Sequence, residues 1–279
     1  MSGVLYVVAT PIGNLDDLTI RAQKTLATCD AVLAEDTRRT RGLLAHLGID
    51  KPVRRFDAHV EADHVARVVE ELVGGASLAL VSDAGTPLIS DPGAGLVSAA
   101  AREGVTVVAI PGASAVLCAL AASGLATHGF RFFGFLPRGG GERADVLARV
   151  ADTEEAAVLY EAGNRTVDTL QDLAARHPDR PACVGRELTK LHEELLRGTV
   201  AELAAVLGAR EAVLGEVTLV LGPRPKAAET TADADVDARI DAELAAGRRA
   251  KEAADIVAAW SGRPRREVYA RVVSRSKRA

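Results

Sequence analysis

Aromatic residues, cysteines and long hydrophobic runs are all scarce in this chain of 279 residues. Phe, Trp and Tyr make up 3% of it, although 48% of its residues are hydrophobic, which indicates a globular core built on Ala, Val and Leu. No apolar run approaches the ~18 residues of a membrane span, and no signal-peptide pattern opens the chain. The three cysteines are isolated, which favours core thiols over a disulfide or a metal site. These scarcities predict a cytoplasmic protein that uses no metal and does not enter a membrane.

Several familiar catalytic motifs are also missing. The sequence contains no G-x-x-x-x-G-K-[ST] phosphate loop, and no G-x-G-x-x-G follows the first predicted strand. H-E-x-x-H and G-x-S-x-G are absent, and the six histidines do not cluster at metal-ligand spacing. These absences argue against nucleotide hydrolysis, nicotinamide chemistry and zinc catalysis.

The net charge of -4 conceals an uneven distribution. The segment 247–279 carries ten basic and three acidic residues, a net charge of +7, so the rest of the chain carries -11. A basic segment on an acidic body favours an anionic partner such as nucleic acid. A solvated helical tail whose charges aid solubility is the alternative, and the sequence leaves both open.

Strand and helix patterns alternate along the chain. Near-continuous apolar strands separated by helices predict a parallel sheet covered on both faces, in an N-terminal α/β lobe over residues 1–115. A second α/β lobe over residues 116–222 is richer in strands that could pair antiparallel, and Gly139–Gly141 near the lobe boundary predict a mobile loop. Residues 223–234 read as a linker, and 235–279 as a basic, helical, helix–turn–helix-like extension.

Turn-rich loops follow four of the predicted strands. They span residues 9–15, 35–40, 82–93 and 111–115. In a parallel sheet these loops lie at one edge and line one crevice, where open α/β sheets bind small ligands. Taken singly, Asp36, Asp91 and Ser114 each fit a helix N-cap. Four such loops at one edge together favour a binding site.

The same loops carry a family resemblance. The motifs that carry it are A-T-P-I-G-N-L-D-D-L-T (9–19), A-E-D-T-R-R-T (34–40), L-V-S-D-A-G-T-P-L-I-S-D-P-G (80–93), I-P-G-A-S-A (110–115), F-F-G-F-L-P-R (132–138), L-Y-E (159–161) and G-R-E-L-T-K (185–190). Over residues 4–222 the chain resembles the tetrapyrrole-methylase-like (class III), S-adenosylmethionine-dependent methyltransferases. It is most similar to the bacterial branch that methylates the ribose 2′-hydroxyl of a cytidine in 16S ribosomal RNA. Gly85-Thr86-Pro87, where tetrapyrrole-modifying members commonly have G-D-P, favours this branch.

The resemblance implies S-adenosylmethionine in a cleft between a parallel-sheet lobe and a mixed-sheet lobe. It also implies a homodimer and 16S ribosomal RNA of the small subunit as the substrate. The residues that it places against the cofactor are Ile12, Asp83, Ala84, Gly85, Thr86, Ile89, Ser114, Ala115, Tyr160, Glu161, Glu187 and Leu188.

Acidic residues and arginines of the chain are candidates for a catalytic base and for contacts with RNA. A ribose 2′-hydroxyl is a poor nucleophile, so a positioned base would assist it. Asp36 is the first choice and Glu35 the second, among acidic candidates that also include Asp91 and Glu187, because Arg38 and Arg39 beside Asp36 could hold a phosphate. The predicted RNA-binding residues are Arg38, Arg39, Arg248, Arg249, Arg263, Arg265, Arg266 and Arg271. Alternatives are a methyltransferase for tetrapyrroles or for a modified protein side chain, and a non-catalytic nucleotide- or RNA-binding module.

Overall fold

The computed structural model describes residues 3–57, 61–125, 129–224 and 232–276. The chain divides into two compact units, with the boundary after Arg224. The strands, all in the first unit, are β1 (Val4–Val8), β2 (Ala31–Ala34), β3 (Val53–Arg55), β4 (Ser77–Val81), β5 (Thr106–Ile110), β6 (Phe130–Phe135), β7 (Ala156–Ala162), β8 (Pro181–Arg186), β9 (Glu194–Thr199) and β10 (Glu216–Leu221). The helices of that unit are α1 (Ile20–Thr28), α2 (Thr37–His46), α3 (Glu61–Val73), α4 (Ala94–Arg102), α5 (Ala115–Ser123), α6 (Gly140–Asp152), α7 (Gly163–Ala174) and α8 (Val200–Gly208).

The first sheet is parallel, with strand order β3-β2-β4-β1-β5. Alternate side chains of each strand point to opposite faces. In β4, Leu78 and Leu80 pack with α3 and α4, whereas Ala79 and Val81 pack with α1 and α2. Burial on both faces explains why these strands read as continuous apolar runs.

The second sheet is mixed, with strand order β6-β7-β10-β8-β9. Strands β6 and β7 are parallel, and the other three pairings are antiparallel. Helix α5 covers one face, and α6, α7 and α8 cover the other. The last strand of the unit, β10, lies at the centre of this sheet. Its first residues, Glu216 to Thr218, line a cavity together with residues from the loops of the first sheet.

The structure has the predicted alternation of strands and helices, with a parallel first sheet and antiparallel pairing in the second. One prediction is wrong: Gly140 and Gly141 are the first residues of α6 rather than part of a mobile loop. Asp91 is not a helix cap either, because the N-cap position of α4 is Gly93, with no side-chain hydrogen bond. The predicted linker 223–234 falls mostly on residues 225–231, which lie outside the described residues.

The second unit is a small helical bundle. Its helices are α9 (Asp233–Ala245), α10 (Ala250–Ser261) and α11 (Arg265–Ser276). They enclose a core of Val236, Ile240, Ala253, Ala254, Val257, Val268 and Val272. A short turn through Gly262 and Pro264 joins α10 to α11. No helix in the described ranges is long and apolar enough to cross a membrane.

The second lobe contains a buried cation, Arg180, directly before β8. Arg180 is 2% exposed, and its guanidinium donates hydrogen bonds to five backbone carbonyl oxygens. The acceptors are Gly222 after β10, Val150 and Ala151 in the last turn of α6, and Thr153 and Glu155 beyond it. Burial lowers the pKa of Arg180 to about 10, so the side chain stays charged at neutral pH. This cation satisfies carbonyls at a helix C-terminus, which favours positive charge.

Replacing Arg180 is therefore expected to destabilise the protein strongly. Arg180→Ala leaves buried carbonyls without donors, and removing a buried charged group of this kind costs about 3–5 kcal/mol. We expect Tm to fall by roughly 10 °C in scanning calorimetry. The matched control is Arg176→Ala, which removes an exposed arginine four residues earlier and is expected to change Tm by less than about 2 °C. Equal Tm values for the two variants would contradict this account.

Candidate functional site

Backbone hydrogen bonds join the loops that follow β1 and β4. Thr10 and Gly85 each donate an N–H to the other's carbonyl oxygen, at 2.9 and 3.0 Å. The hydroxyl of Thr10 donates to the Ser82 carbonyl, and the hydroxyl of Thr86 donates to the carbonyl of Ala113 in the loop after β5. Gly85 has a φ of +86°, and a Cβ there would lie 3.2 Å from Ile12 Cγ2. A residue without a side chain is required at this crossing.

A cleft lies between these loops and the second sheet. Its volume is about 910 Å³, including the solvent that reaches into its open side. The cleft is lined by Ile12, Ala84, Gly85, Thr86, Ile89, Ser90, Asp91, Ser114, Ala115, Phe135, Tyr160, Glu161, Leu188, Glu216, Val217 and Thr218. Ten of the twelve residues predicted to contact a cofactor are in this set, and Asp83 and Glu187 are not. The loop after β2 contributes no residue to it.

Two turns that contain left-handed backbone contribute residues to the cleft. In the loop after β4, Leu88 and Ser90 have φ values of +73° and +72°. In the turn between β8 and β9, Glu187 and Thr189 have values of +51° and +66°. Left-handed backbone costs a non-glycine residue about 1–3 kcal/mol and concentrates at functional sites. The residues between these strained positions, Ile89 and Leu188, both line the cleft.

The β8–β9 turn also contacts the first loop. The N–H of Asn14 donates to Thr189 Oγ1 at 3.1 Å. A Cβ on Gly13 would lie 2.4 Å from Lys190 Cγ, so glycine permits this close approach. Glu187 stabilises the turn: its Oε1 accepts hydrogen bonds from Lys190 Nζ and from the N–H of Glu216, both at 2.8 Å. Glu187 therefore does not line the cleft itself but helps to position Leu188 and Glu216, which do.

Asp91 is the one carboxylate of the β4 loop that lines the cleft. Burial, and next the negative charges of Glu35 and Asp83, raise its pKa to about 6. A hydrogen bond from Ser82 offsets part of this effect. A carboxylate with a pKa near neutrality in a cleft is suited to accept a proton.

The other cleft carboxylate from the predicted set, Glu161, is already fully paired. It is 1% exposed and accepts hydrogen bonds from Thr169 Oγ1 at 2.9 Å and from the N–H of Ala162 at 3.0 Å. Arg143 and Arg165 lie 3.6 and 3.4 Å from its oxygens. These contacts fix the end of β7, and with it the neighbouring Tyr160.

Asp36, the predicted base, lies outside the cleft lining. Its side chain accepts the N–H of Arg38 as the N-cap of α2, and it also accepts two hydrogen bonds from the Arg38 guanidinium. These bonds hold the pKa of Asp36 at about 2. Glu35 is exposed as a residue, but its carboxyl group is partly desolvated. This desolvation, and next the negative charge of Asp83, raise the pKa of Glu35. The capping alternative for Asp36 therefore describes what its side chain does.

Asp83 and Arg39 lie outside the cleft lining. Asp83 Oδ1 accepts the backbone N–H of Asp36 at 2.9 Å, which ties the β2 loop to the β4 loop. Arg39 Nε lies 4.0 Å from Asp83 Oδ2 and is otherwise exposed. Both residues line a smaller pocket beside Thr10 and Leu43.

Most arginines predicted to bind RNA in the second unit form ion pairs within it. Arg271 contacts Asp233 and Asp237, and Arg275 contacts Asp237 and Asp241, so α11 and α9 are joined by a ladder of charges. The other predicted arginines that form ion pairs are Arg248 with Glu243, Arg263 with Asp233 and Glu267, and Arg265 with Asp255. Of the predicted residues in this unit, Arg249 and Arg266 form no ion pair with a described residue.

Several cleft residues were not predicted from the sequence. Glu216, Val217 and Thr218 reach the cleft because β10 inserts between β7 and β8, a strand order that local patterns do not encode. Phe135 belongs to a motif that carried the resemblance but was given no role. Across the described ranges, no group of three or more His, Cys, Asp or Glu side chains could hold a metal ion.

Comparison with known proteins assigns this fold and cleft to a class. The family model described as Tetrapyrrole (Corrin/Porphyrin) Methylases matches residues 4–204, and the one described as RsmI C-terminal HTH domain matches residues 230–276. The chain belongs to the tetrapyrrole methylase family, whose members are S-adenosylmethionine-dependent methyltransferases. The predicted fold, methyltransferase class and cofactor are thereby confirmed.

Curated relatives match over almost the whole chain. A protein from Halalkalibacterium halodurans is 43% identical over 272 residues, covering 96% of this chain and 93% of the relative. One from Xylella fastidiosa is 45% identical over 271 residues, covering 96% and 98%. Both are named ribosomal RNA small subunit methyltransferase I.

Solved structures share the fold at low sequence identity. Uroporphyrin-III C-methyltransferase from Thermus thermophilus, complexed with S-adenosylhomocysteine, has a TM-score of 0.57 at 23% identity, covering 79% of this chain and 97% of that one. Diphthine synthase has a TM-score of 0.59 at 17% identity, covering 79% and 90%.

The raised pKa of Asp91 predicts a pH-dependent effect on stability. Since the folded protein favours the protonated carboxyl, this stability is complete below about pH 4 and is lost as pH rises through about 6. Asp91→Asn removes the penalty, so its free energy of unfolding should rise relative to wild type by about 2 kcal/mol between pH 4.5 and pH 8. Urea unfolding at both pH values measures this difference.

Asp36→Asn is the matched control for that measurement. The pKa of Asp36 is lowered, so its stabilising contribution is lost only as pH falls below about 4. The stability difference between Asp36→Asn and wild type should therefore stay constant from pH 4.5 to pH 8. A constant difference for Asp91→Asn as well would contradict the assigned environment of Asp91.

Proposed function

We propose that this protein transfers a methyl group from S-adenosylmethionine to the ribose 2′-hydroxyl of a cytidine in 16S ribosomal RNA of the small subunit. The match with relatives named ribosomal RNA small subunit methyltransferase I, which includes the C-terminal unit, carries the proposal. The proposal includes a homodimer and a cytoplasmic location, as the resemblance implies.

The cleft residues suit the proposed cofactor. Apolar side chains of Ile12, Ile89, Leu188 and Val217 can cover its adenine ring, while Ser90 and Ser114 offer hydroxyls. A side chain at Gly85 would fill space between Ile12 and the Ala113 carbonyl, so the glycine keeps the floor of the cleft open. When bound, the cofactor supplies a methyl group activated by its sulfonium cation.

Asp91 replaces Asp36 as the proposed general base. Asp91 lines the cleft and its pKa is raised, whereas Asp36 lies outside it and is neutralised by Arg38. In the proposed reaction the ribose oxygen would form its bond to the methyl carbon as the bond between that carbon and sulfur breaks, with S-adenosylhomocysteine as the leaving group. The proton of the 2′-hydroxyl would pass to the Asp91 carboxylate. Glu35, Asp83 and Tyr160 interact electrostatically with Asp91, and none of them provides a positive charge that would lower its basicity.

Labelled methyl transfer to unmethylated small subunits tests the proposal. Wild type should transfer the label to RNA, with kcat rising as pH increases through about 6. Asp91→Asn should lower kcat about 100-fold or more, with the dissociation constant for S-adenosylmethionine in calorimetry changed by less than about threefold. Asp36→Asn, the control, should keep most of its activity.

Three outcomes would count against the proposal. Label appearing in a free tetrapyrrole and not in the subunit would favour a small-molecule methyltransferase. Failure to bind S-adenosylmethionine would favour a non-catalytic module. Near-normal kcat in Asp91→Asn, with a loss in Asp36→Asn, would restore Asp36 as the base.

The proposed RNA contacts of the second unit are its unpaired basic residues. Arg249, Lys251 and Arg266 are exposed and form no ion pair with a described residue, so they can contact phosphates. Arg271 and the other paired arginines instead stabilise the bundle. Arg39 remains a proposed phosphate contact on the first unit.

Replacing the three unpaired residues with alanine should weaken RNA binding without unfolding the unit. We expect the slope of log K against log salt to become shallower by about 0.7–0.9 for each phosphate that is no longer neutralised. Filter binding at several salt concentrations measures this slope. Arg271→Ala should instead lower the stability of the unit, because it breaks the ladder with α9. An unchanged slope in the triple variant would contradict the assignment.

A further inference from the structure

A side pocket opens next to the cleft. Phe135 and Glu161 line both cavities, so the two are adjacent. Around the side pocket lie Arg138, Glu142, Asn164 and Arg165, from the end of β6 and the first turns of α6 and α7. The cofactor proposal assigns no role to this space.

Phe135 presents an aromatic surface where the cavities meet. Its side chain is 60% exposed, although the chain has few aromatic residues. Its ring centroid lies 5.2 Å from that of Tyr160, which in turn contacts Phe132 at 5.0 Å. The cluster supports the ring from one side and leaves it open to solvent. Unpaired nucleic-acid bases stack on aromatic rings of this kind.

The wall of the side pocket is fixed by one set of polar residues. Arg165 donates hydrogen bonds to the carbonyl oxygens of Leu136 and Pro137, at 3.1 and 2.7 Å, and lies 3.4 Å from Glu161. These bonds hold the segment that follows Phe135. The ring is therefore positioned before any ligand arrives, which lowers the entropic cost of binding.

A second set of polar residues is free. Arg138, Glu142 and Asn164 are exposed and form no hydrogen bond or ion pair through their side chains with any described residue. Together they offer a cation for a phosphate, a carboxylate that can accept from an amino group, and an amide that can donate and accept. Carboxylates accept hydrogen bonds from the amino group of cytosine. Beside an exposed ring, this combination matches a nucleotide.

We propose that the side pocket receives the acceptor nucleotide, with its base stacked on Phe135, its phosphate on Arg138 and its polar edge facing Glu142 and Asn164. The inference rests on the proposed transfer to ribosomal RNA. The base must leave its stack to enter, as it does in other enzymes that modify nucleotides. Because Phe135 borders both cavities, a base stacked on this ring lies beside the cleft that Asp91 lines.

Substitutions at Phe135 test the stacking. Phe135→Leu keeps an apolar side chain against the cleft but removes the aromatic face. It should lower kcat/KM for unmethylated small subunits about tenfold or more, with S-adenosylmethionine affinity unchanged within about twofold. Phe135→Trp should restore kcat/KM. The control is Phe130→Leu at the other end of β6, a 41% exposed ring away from both cavities, which should behave as wild type.

The polar residues are tested separately. Arg138→Ala should raise KM for the subunit, whereas the control Arg102→Ala, an exposed arginine at the end of α4, should not. Glu142→Gln should weaken the preference for cytidine over uridine at the methylated position about tenfold. Subunits carrying either base at that position provide this comparison.

The outcomes separate this inference from the proposed function. If wild type transfers no methyl group to small subunits, the proposed function fails, whatever the variants do. If wild type is active but Phe135→Leu and Arg138→Ala match their controls, the side pocket does not hold the nucleotide. An equal loss of cofactor affinity in Phe135→Leu and Phe135→Trp would assign the ring to the cofactor and overturn the inference.

Discussion

The pair of backbone hydrogen bonds between Thr10 and Gly85 is the constraint on which the cleft depends. It joins loops from neighbouring parallel strands that meet at one sheet edge, and Ser82, Thr86 and Ala113 attach to the same crossing through side-chain bonds. The left-handed φ of Gly85 makes this arrangement possible without a clash against Ile12. These bonds position the loops after β1, β4 and β5, whose residues line the first-sheet side of the cleft. Leu88 and Ser90, whose φ values are positive, lie further along the same β4 loop.

The division of charged residues into paired and free groups separates structure from function. Arg180 is committed to five carbonyl oxygens, Glu161 to its arginines and Thr169, and Arg271 and Arg275 of α11 to the acids of α9. Each of these charges is satisfied by the fold, and removing one member would leave buried or neighbouring charge without compensation. The residues left available, among them Asp91, Arg138 and Arg266, lie at surfaces or cavities where a ligand can supply the missing partner. Composition alone cannot make this division, because it counts both kinds alike.

Asp36 and Asp91 show how context decides the role of a carboxylate. Both follow apolar strands and both precede helices, so both fit a cap or a base. Asp36 became the cap, with a pKa near 2, because α2 begins directly after it and Arg38 folds back onto it. Asp91 is not the N-cap residue of α4, because the helix begins at Ala94 and Gly93 occupies the N-cap position. Its carboxyl group is instead enclosed near Glu35 and Asp83, which raises its pKa to about 6.

Local residue patterns were enough to predict the parallel first lobe and the loops that form the first-sheet side of the cleft. The family resemblance, and not the local pattern, placed Tyr160, Glu161 and Leu188 in it. Strands such as β4 are buried on both faces, so their apolar runs are visible locally, and the Gly- and Pro-rich loops after them must share one edge of a parallel sheet. The central place of β10 in the second sheet, which brings Glu216 to Thr218 to the cleft, could not be predicted in this way, because strand order depends on long-range pairing. The same holds for which charges are paired, since partners such as Asp237 and Arg271 are distant in the chain. Residue patterns record propensity and spacing, whereas burial and pairing exist only once the chain has packed.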